Sequence, residues 1–335
     1  MEPGTLIYLT DGDRRLLERL QSFLPDRIFD AHCHLHRTDL LPDTGGLFQR
    51  LGTADLHRLR KDEKLIYGDR PFRALLLPMP SPLFKQDPAL RDEANAWMAG
   101  QLREGSEFFG AAYVMPGDSE EKVESMLTTP QFRGFKCYHQ TADTNGPTFQ
   151  ADIREYLPES AWRVADRRGM AITLHMVKSR SLADPENLAY VRTMTAKYPN
   201  ARLILAHAAR GFASWTAVET VRQLRGIGSI YYDLAAVCDP AAIFEVIRQG
   251  GADRVLWGTD YIIDRVHGKP VSCGETFSWV YPHEISCPID FPVCLTVLES
   301  LFALYQASLM LDLGRPEIEA IFWNNAMGLF EPNTE

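Results

Sequence analysis

Five side chains suited to metal and proton chemistry stand at the ends of short apolar runs: His32, His34, His175, His207 and Asp260. The first run ends Asp30-Ala-His32-Cys-His34. Residues i and i+2 of a strand point to one face, so both imidazoles project into the same space. His175 follows Ala-Ile-Thr-Leu, His207 follows Leu-Ile-Leu-Ala, and Asp260 follows Leu-Trp-Gly-Thr. A single histidine on an apolar strand is most often a satisfied core residue. The combination decides otherwise: imidazole nitrogens with one carboxylate form a donor set for a divalent ion, zinc first, with manganese or iron as alternatives.

Residues this far apart in the chain meet only if the strands that carry them are brought to a common rim. Eight β-rich runs recur, starting at Arg27, Arg73, Phe109, Arg133, Met170, Arg202, Ser229 and Arg254, with helical patterns between them. Helices are expected over residues 153–168, 185–198 and 240–249, the last behind Asp239 as N-cap with proline at its first position. Near-continuous apolar strands alternating with amphipathic helices imply a parallel sheet covered by helices. No glycine-rich phosphate turn follows the first strand, which argues against a doubly wound open sheet. Ionisable residues at the carboxyl ends of several strands fit a (β/α)8 TIM barrel, where chemistry sits on that rim. The expectation is one domain over residues 1–335, with the barrel at about 27–330. An N-terminal arm precedes it, and a long loop after the eighth strand, residues 261–290, serves as a lid.

A net charge of −9, with no Lys/Arg cluster, excludes a nucleic-acid footprint. The N-terminus lacks the pattern of a signal peptide. The apolar stretch Val293–Leu313 is interrupted by Glu299, Gln306 and Asp312, so it reads as a buried helix and not a membrane span. Such a helix needs cover on its outer side, from a second subunit in a homodimer, the expected arrangement, or from the N-terminal arm. The six cysteines form no CxxC pair, and Cys33, Cys137 and Cys238 fall in or beside strands. They read as reduced core thiols of a cytoplasmic protein.

The segments FDAHCHL, RGFKCYHQ, ITLHM, LILAHAARG, LWGTDY and IFWNNAMGLF resemble the amidohydrolase superfamily, and more closely its "amidohydrolase 2" branch. That branch includes aminocarboxymuconate semialdehyde decarboxylase, resorcylate decarboxylases and lactone hydrolases. The resemblance covers roughly residues 27–330. It implies His32, His34, His175 and Asp260 as metal ligands, with Asp260 also exchanging protons. His207 becomes a catalytic contact or a ligand of a second ion. Lys136, at the end of the fourth strand, is either a carboxylated bridge between two ions or a substrate-binding cation, and one ion is favoured over two. Tyr138, Lys178, Arg210 and Arg265 are candidates for holding the substrate. The implied function is a metal-dependent hydrolase cleaving an amide, lactone or ester of a small, carboxylated substrate. Metal-dependent decarboxylation of an aromatic or unsaturated acid is the alternative. FDAHCHL also resembles the opening of TatD-type nucleases, but those carry Glu where this chain has Lys136, and the acidic balance disfavours DNA. A non-catalytic binding barrel would have no reason to keep every ligand.

Overall fold

Apolar strands that must be covered on both faces assemble into a parallel sheet. The computed structural model describes residues 7–44, 46–284 and 293–331. It contains eight parallel strands in sequential order: β1 (Ile28–Leu35), β2 (Phe72–Pro78), β3 (Phe109–Tyr113), β4 (Phe132–Cys137), β5 (Ala171–Leu174), β6 (Arg202–Leu205), β7 (Ile230–Asp233) and β8 (Val255–Leu256). The segment after β8 returns to β1: Ala31 N donates to Trp257 O at 2.8 Å and Asp260 N to His32 O at 2.8 Å. These bonds close the expected (β/α)8 barrel.

The strands bury two sets of side chains. Phe29, Ala31, Leu75, Leu77, Phe109, Ala111, Ile204 and Leu256 fill the interior, and Trp323 and Phe330 join this cluster from the C-terminal segment. Phe29 stacks on Phe330 at 5.6 Å between ring centroids. The opposite faces of the strands pack on an outer layer of helices: α1 (Asp11–Leu20), α2 (Leu56–Tyr67), α3 (Pro88–Glu104), α4 (Glu120–Ser125), α5 (Glu159–Arg168), α6 (Pro185–Lys197), α7 (Trp215–Thr220), α8 (Pro240–Gly250) and α9 (Thr296–Met310), whereas α10 (Asn325–Phe330) packs on the interior cluster. Helices α3, α6 and α8 share one start signal. Asp87, Asp184 and Asp239 each accept a backbone N–H at the N-terminus, with proline at the first helical position.

Three expectations are refined. The helix expected from residue 153 begins at Glu159, because Pro158 disfavours helical backbone in the residue before it. Residues 153–155 form a separate 3-10 turn. The loop after β8 is not featureless but carries a hairpin, β9 (Lys269–Cys273) and β10 (Thr276–Val280), while its residues 285–290 lie outside the described residues. Finally, α1 packs against α9, with the Arg19 guanidinium 4.8 Å from the Phe302 ring centroid and Phe23 edge-on to Tyr305 at 5.4 Å. The N-terminal arm is therefore a cover of the apolar helix, leaving Leu309 and Met310 exposed at its end. No described helix is long and apolar enough to cross a membrane. Cys33, Cys137 and Cys238 are buried free thiols.

Candidate metal centre

The two histidines of β1 converge as their spacing requires. His32 Nε2 lies 3.1 Å from His34 Nε2, and Asp260 Oδ1 lies 3.6 Å from the former and 3.5 Å from the latter. What sets these rings is behind them. His32 Nδ1 lies 2.9 Å from Asp233 Oδ2, and His34 Nδ1 lies 3.2 Å from the carbonyl of Pro78. With each Nδ1 donating its proton backwards, both Nε2 atoms present lone pairs to the same point. Two imidazole lone pairs and a carboxylate oxygen face one another, with Lys136 Nζ 3.1 Å from His32 Nε2 beside them. The donor set fits a divalent cation. These three residues form one of two such groups among the described residues.

The second group, His32, His207 and Asp233, is better explained as support. Asp233, the last residue of β7, spends Oδ2 on His32 and Oδ1 on the backbone N–H groups of His207 (2.8 Å) and Ala235 (3.1 Å). One buried carboxylate thus orients a histidine of β1 and the segment after β6. Asp30 does similar work between β1 and β8, accepting from His32 N (2.9 Å), Thr259 N (3.0 Å) and the Thr259 hydroxyl. Gly258 permits this approach, since a Cβ there would meet His32 Cβ at 3.0 Å.

His175 and His207 stand on the other side. His207 Nε2 is 3.1 Å from His175 Nδ1, and His207 Nδ1 is 2.8 Å from the carbonyl of Ala235. The ring of Tyr138 lies 4.4 Å from His175. His175 is therefore brought to the site, but outside the group whose donor atoms lie within 4.8 Å of one another. After β6 the chain makes a left-handed turn, with φ of 57°, 51°, 59° and 60° at His207, Ala208, Ala209 and Arg210. None is glycine, so the turn costs about 1–2 kcal/mol per residue, which the surrounding packing must offset.

Burial dominates the electrostatics. Burial drives the imidazoles of His32, His34 and His175 well below their usual range, and the charge on Lys136 adds to it. Burial likewise brings His207 to about 4. The Asp260 carboxyl is pushed up by burial, against the pull of Lys136, to about 7. Lys136 is fully buried, its Nζ 3.1 Å from His32 Nε2, and burial lowers its pKa against the attraction of Asp233 and Asp260.

The rim surrounds a cavity of about 130 Å³, lined by His34, His175, His207, Asp260, Tyr138 and Gln140. Phe48, Met79, Pro80 and Ile263 supply its apolar walls. Of the four candidate substrate residues, Tyr138 lines this cavity, and Arg210 packs over Phe277 of β10 at 5.3 Å with its Nη1 3.3 Å from the carbonyl of Lys178. The other two are committed elsewhere. Lys178 pairs with Asp184 and Glu186. Arg265 is fully buried between Glu63 of α2 and its neighbour Asp264. It belongs to the packing of α2 against the β8 loop, not to the cavity, because only there do carboxylates offset its desolvation. Sequence reasoning missed Asp233, although it too stands at the carboxyl end of a strand, the criterion that found the others. The hairpin completes the roof, with Phe212 4.8 Å from Phe277 and 5.1 Å from the His207 ring.

Comparison with known proteins bears on this geometry. An amidohydrolase family model matches residues 29–331. No curated protein matches the sequence. Among solved structures, the fold is similar to 2,6-dihydroxybenzoate decarboxylase from Rhizobium, at 14% identity and TM-score 0.58 over 91% of this chain and 98% of that one. It is also similar to a dihydroxybenzoic acid decarboxylase from Polaromonas with bound manganese and an inhibitor, 2-nitroresorcinol (16%, TM-score 0.54, 92% and 98%). A third is a proposed 2-pyrone-4,6-dicarboxylic acid hydrolase from Pseudomonas putida (15%, TM-score 0.53, 93% and 100%). Identities this low carry the fold alone. The family match spans almost the whole barrel and includes every histidine and aspartate gathered at its carboxyl rim, and on that ground the chain belongs to the amidohydrolase family.

Proposed function

We propose that this enzyme hydrolyses an amide, lactone or ester bond of a small carboxylated substrate, using one divalent ion held by His32, His34, His175 and Asp260. The observation that carries this reading is the convergence of His32 Nε2, His34 Nε2 and Asp260 Oδ1 within 3.1–3.6 Å, with both Nδ1 atoms turned to acceptors behind them. A divalent ion bound there supplies Lewis-acid polarisation of a carbonyl and a more acidic water; zinc suits the imidazole-rich set, with manganese or iron as alternatives. Asp260 accepts the proton of the attacking water and returns it to the leaving group. His207, anchored through Ala235, holds the oxygen on which charge develops. Lys136 adds positive charge beneath the rim, as a free amine and not a carboxylated bridge. Tyr138 contacts the substrate body, and Arg210 receives its carboxylate from the hairpin side.

Decarboxylation of an aromatic or unsaturated acid is the second reading. It is favoured by the two decarboxylases among the similar structures, and it uses Asp260 to protonate a ring carbon instead of a leaving group. Metal analysis of purified protein should give about one divalent ion per chain. A screen of lactones, amides and unsaturated carboxylates in ¹⁸O-labelled water separates the readings. Label in the product with no carbon dioxide supports hydrolysis, whereas carbon dioxide release without label supports the second. Undiminished turnover by metal-free protein would eliminate both.

A further inference from the structure

A second cavity, larger than the one at the metal centre, lies at the other end of the barrel. It encloses about 560 Å³ and opens at the amino ends of β4, β5 and β6, beside α10. That volume falls within the usual range for small-molecule sites, roughly 300–1,000 Å³. Arg133 stands near the start of β4 and Lys136 near its end, so the cavity and the metal centre lie at opposite ends of the strand.

Three arginines line it: Arg133, Arg168 and Arg202. Arg168 is neutralised by Glu124 at 2.5 Å. Glu331, the one acid on the wall, is taken by Arg73 at 3.3 Å. Arg133 and Arg202 form no ion pair among the described residues. Arg133 Nε is moreover buried and has no hydrogen-bond partner, and burial lowers the pKa of this guanidinium with no opposing carboxylate. Neither guanidinium therefore has a carboxylate partner in this cavity. Phe132, Met170 and Phe330 supply apolar surface beside them. Guanidinium forks match carboxylates with two parallel hydrogen bonds each.

We infer that this cavity is a second ligand site, for a small flat organic dianion such as an aromatic dicarboxylate. The carboxylates face Arg133 and Arg202, and the ring lies on the apolar wall. Because β4, β5 and β6 carry Lys136, His175 and His207 at their other ends, the ligand braces the strands that build the reactive rim.

The test is calorimetric titration with phthalate at ionic strength matched by chloride. The wild-type chain should bind saturably. Arg133→Gln and Arg202→Gln should each raise Kd at least tenfold, and Arg168→Gln less than threefold. Asp260→Asn, which alters the metal centre, should bind phthalate as the wild type does, so the site stands or falls independently of the proposed catalysis. If Arg133→Gln does not fold, Arg133→Lys keeps the charge, loses the fork and should still weaken binding. Four results overturn the inference: no saturable binding, unchanged Kd in the Arg133 and Arg202 variants, loss of binding in Asp260→Asn, or binding that appears only when residues 332–335 are removed.

Discussion

Around one cavity, the donors of β1 and the β8 loop are held by polar partners, whereas the ring of His175 is held mainly by other rings. His32 is braced by Asp233, His34 by the Pro78 carbonyl, and the Asp260 segment by the bonds that close the barrel. His175 instead lies against Tyr138, His139 and His207, under a roof made by Phe212 and Phe277. Hydrogen bonds from short, buried acceptors fix a ring to a few tenths of an ångström; aromatic packing tolerates sliding. The first side holds three of the four proposed ligands in fixed geometry. The second holds the fourth, His175, in a more yielding aromatic setting beside the cavity.

Replacing a donor on the first side should produce the largest effect. His34→Ala should lower metal affinity by more than about 100-fold, beyond what removing a partner behind a ligand costs, and activity should fall with it. Metal content near the wild-type level after dialysis would break the comparison at its root. Asp233→Asn comes next, because it leaves the donors in place but loosens the bracing of one of them, His32: about 10–100-fold weaker metal binding in a chelator competition. An unchanged affinity would mean that Asp233 merely fills space.

Lys136→Gln sharpens the question of count. One ion per chain is expected in both proteins by elemental analysis, and a fall from two to one would show that the lysine had been a bridge. On the second side, Phe277→Ala removes the ring over which Arg210 packs, an interaction of about 0.5–1 kcal/mol. KM should rise about two- to fivefold with kcat little changed; a loss of metal instead would erase the distinction between the two sides.

The smallest effect concerns the anchoring of the β8 loop. Asp13 of α1 accepts from Leu295 N at 2.8 Å and meets His267 Nε2 at 2.8 Å. Burial raises its pKa, but these bonds and those from Thr10 outweigh it and bring it down to about 2. A depressed carboxylate stabilises the fold above its unfolded pKa and loses that contribution as pH falls through the folded value. Asp13→Asn should therefore cost about 1 kcal/mol near pH 7, discounted for partial solvent screening, with the gap to wild type closing between about pH 4 and pH 2. A gap that widened on acidification would refute the assignment.

Much of the candidate metal centre, as a cluster of side chains at one rim, could be read from residue type and strand position. His32 and His34 follow from a period of two, and His175, His207 and Asp260 from their place after apolar runs, which strand geometry alone converts into a shared rim. The barrel was legible for the same reason, since eight buried runs alternating with helices have few ways to be covered. Arg265 was misplaced because a local sequence does not reveal a remote partner: Glu63 lies 202 residues away and meets it only when α2 packs on the β8 loop. Lys178 was misplaced although its partners, Asp184 and Glu186, lie only six and eight residues on. The left-handed turn at 207–210 carries no glycine to announce it. Asp233 could be placed at a strand end, but not with both oxygens spent on two other strands. Side-chain type and periodicity thus determined which groups reach the rim. Which of them face the ion, which stand behind it and which neutralise one another was decided by tertiary packing, because in a low-dielectric interior each charge takes its role from the partner within hydrogen-bond reach.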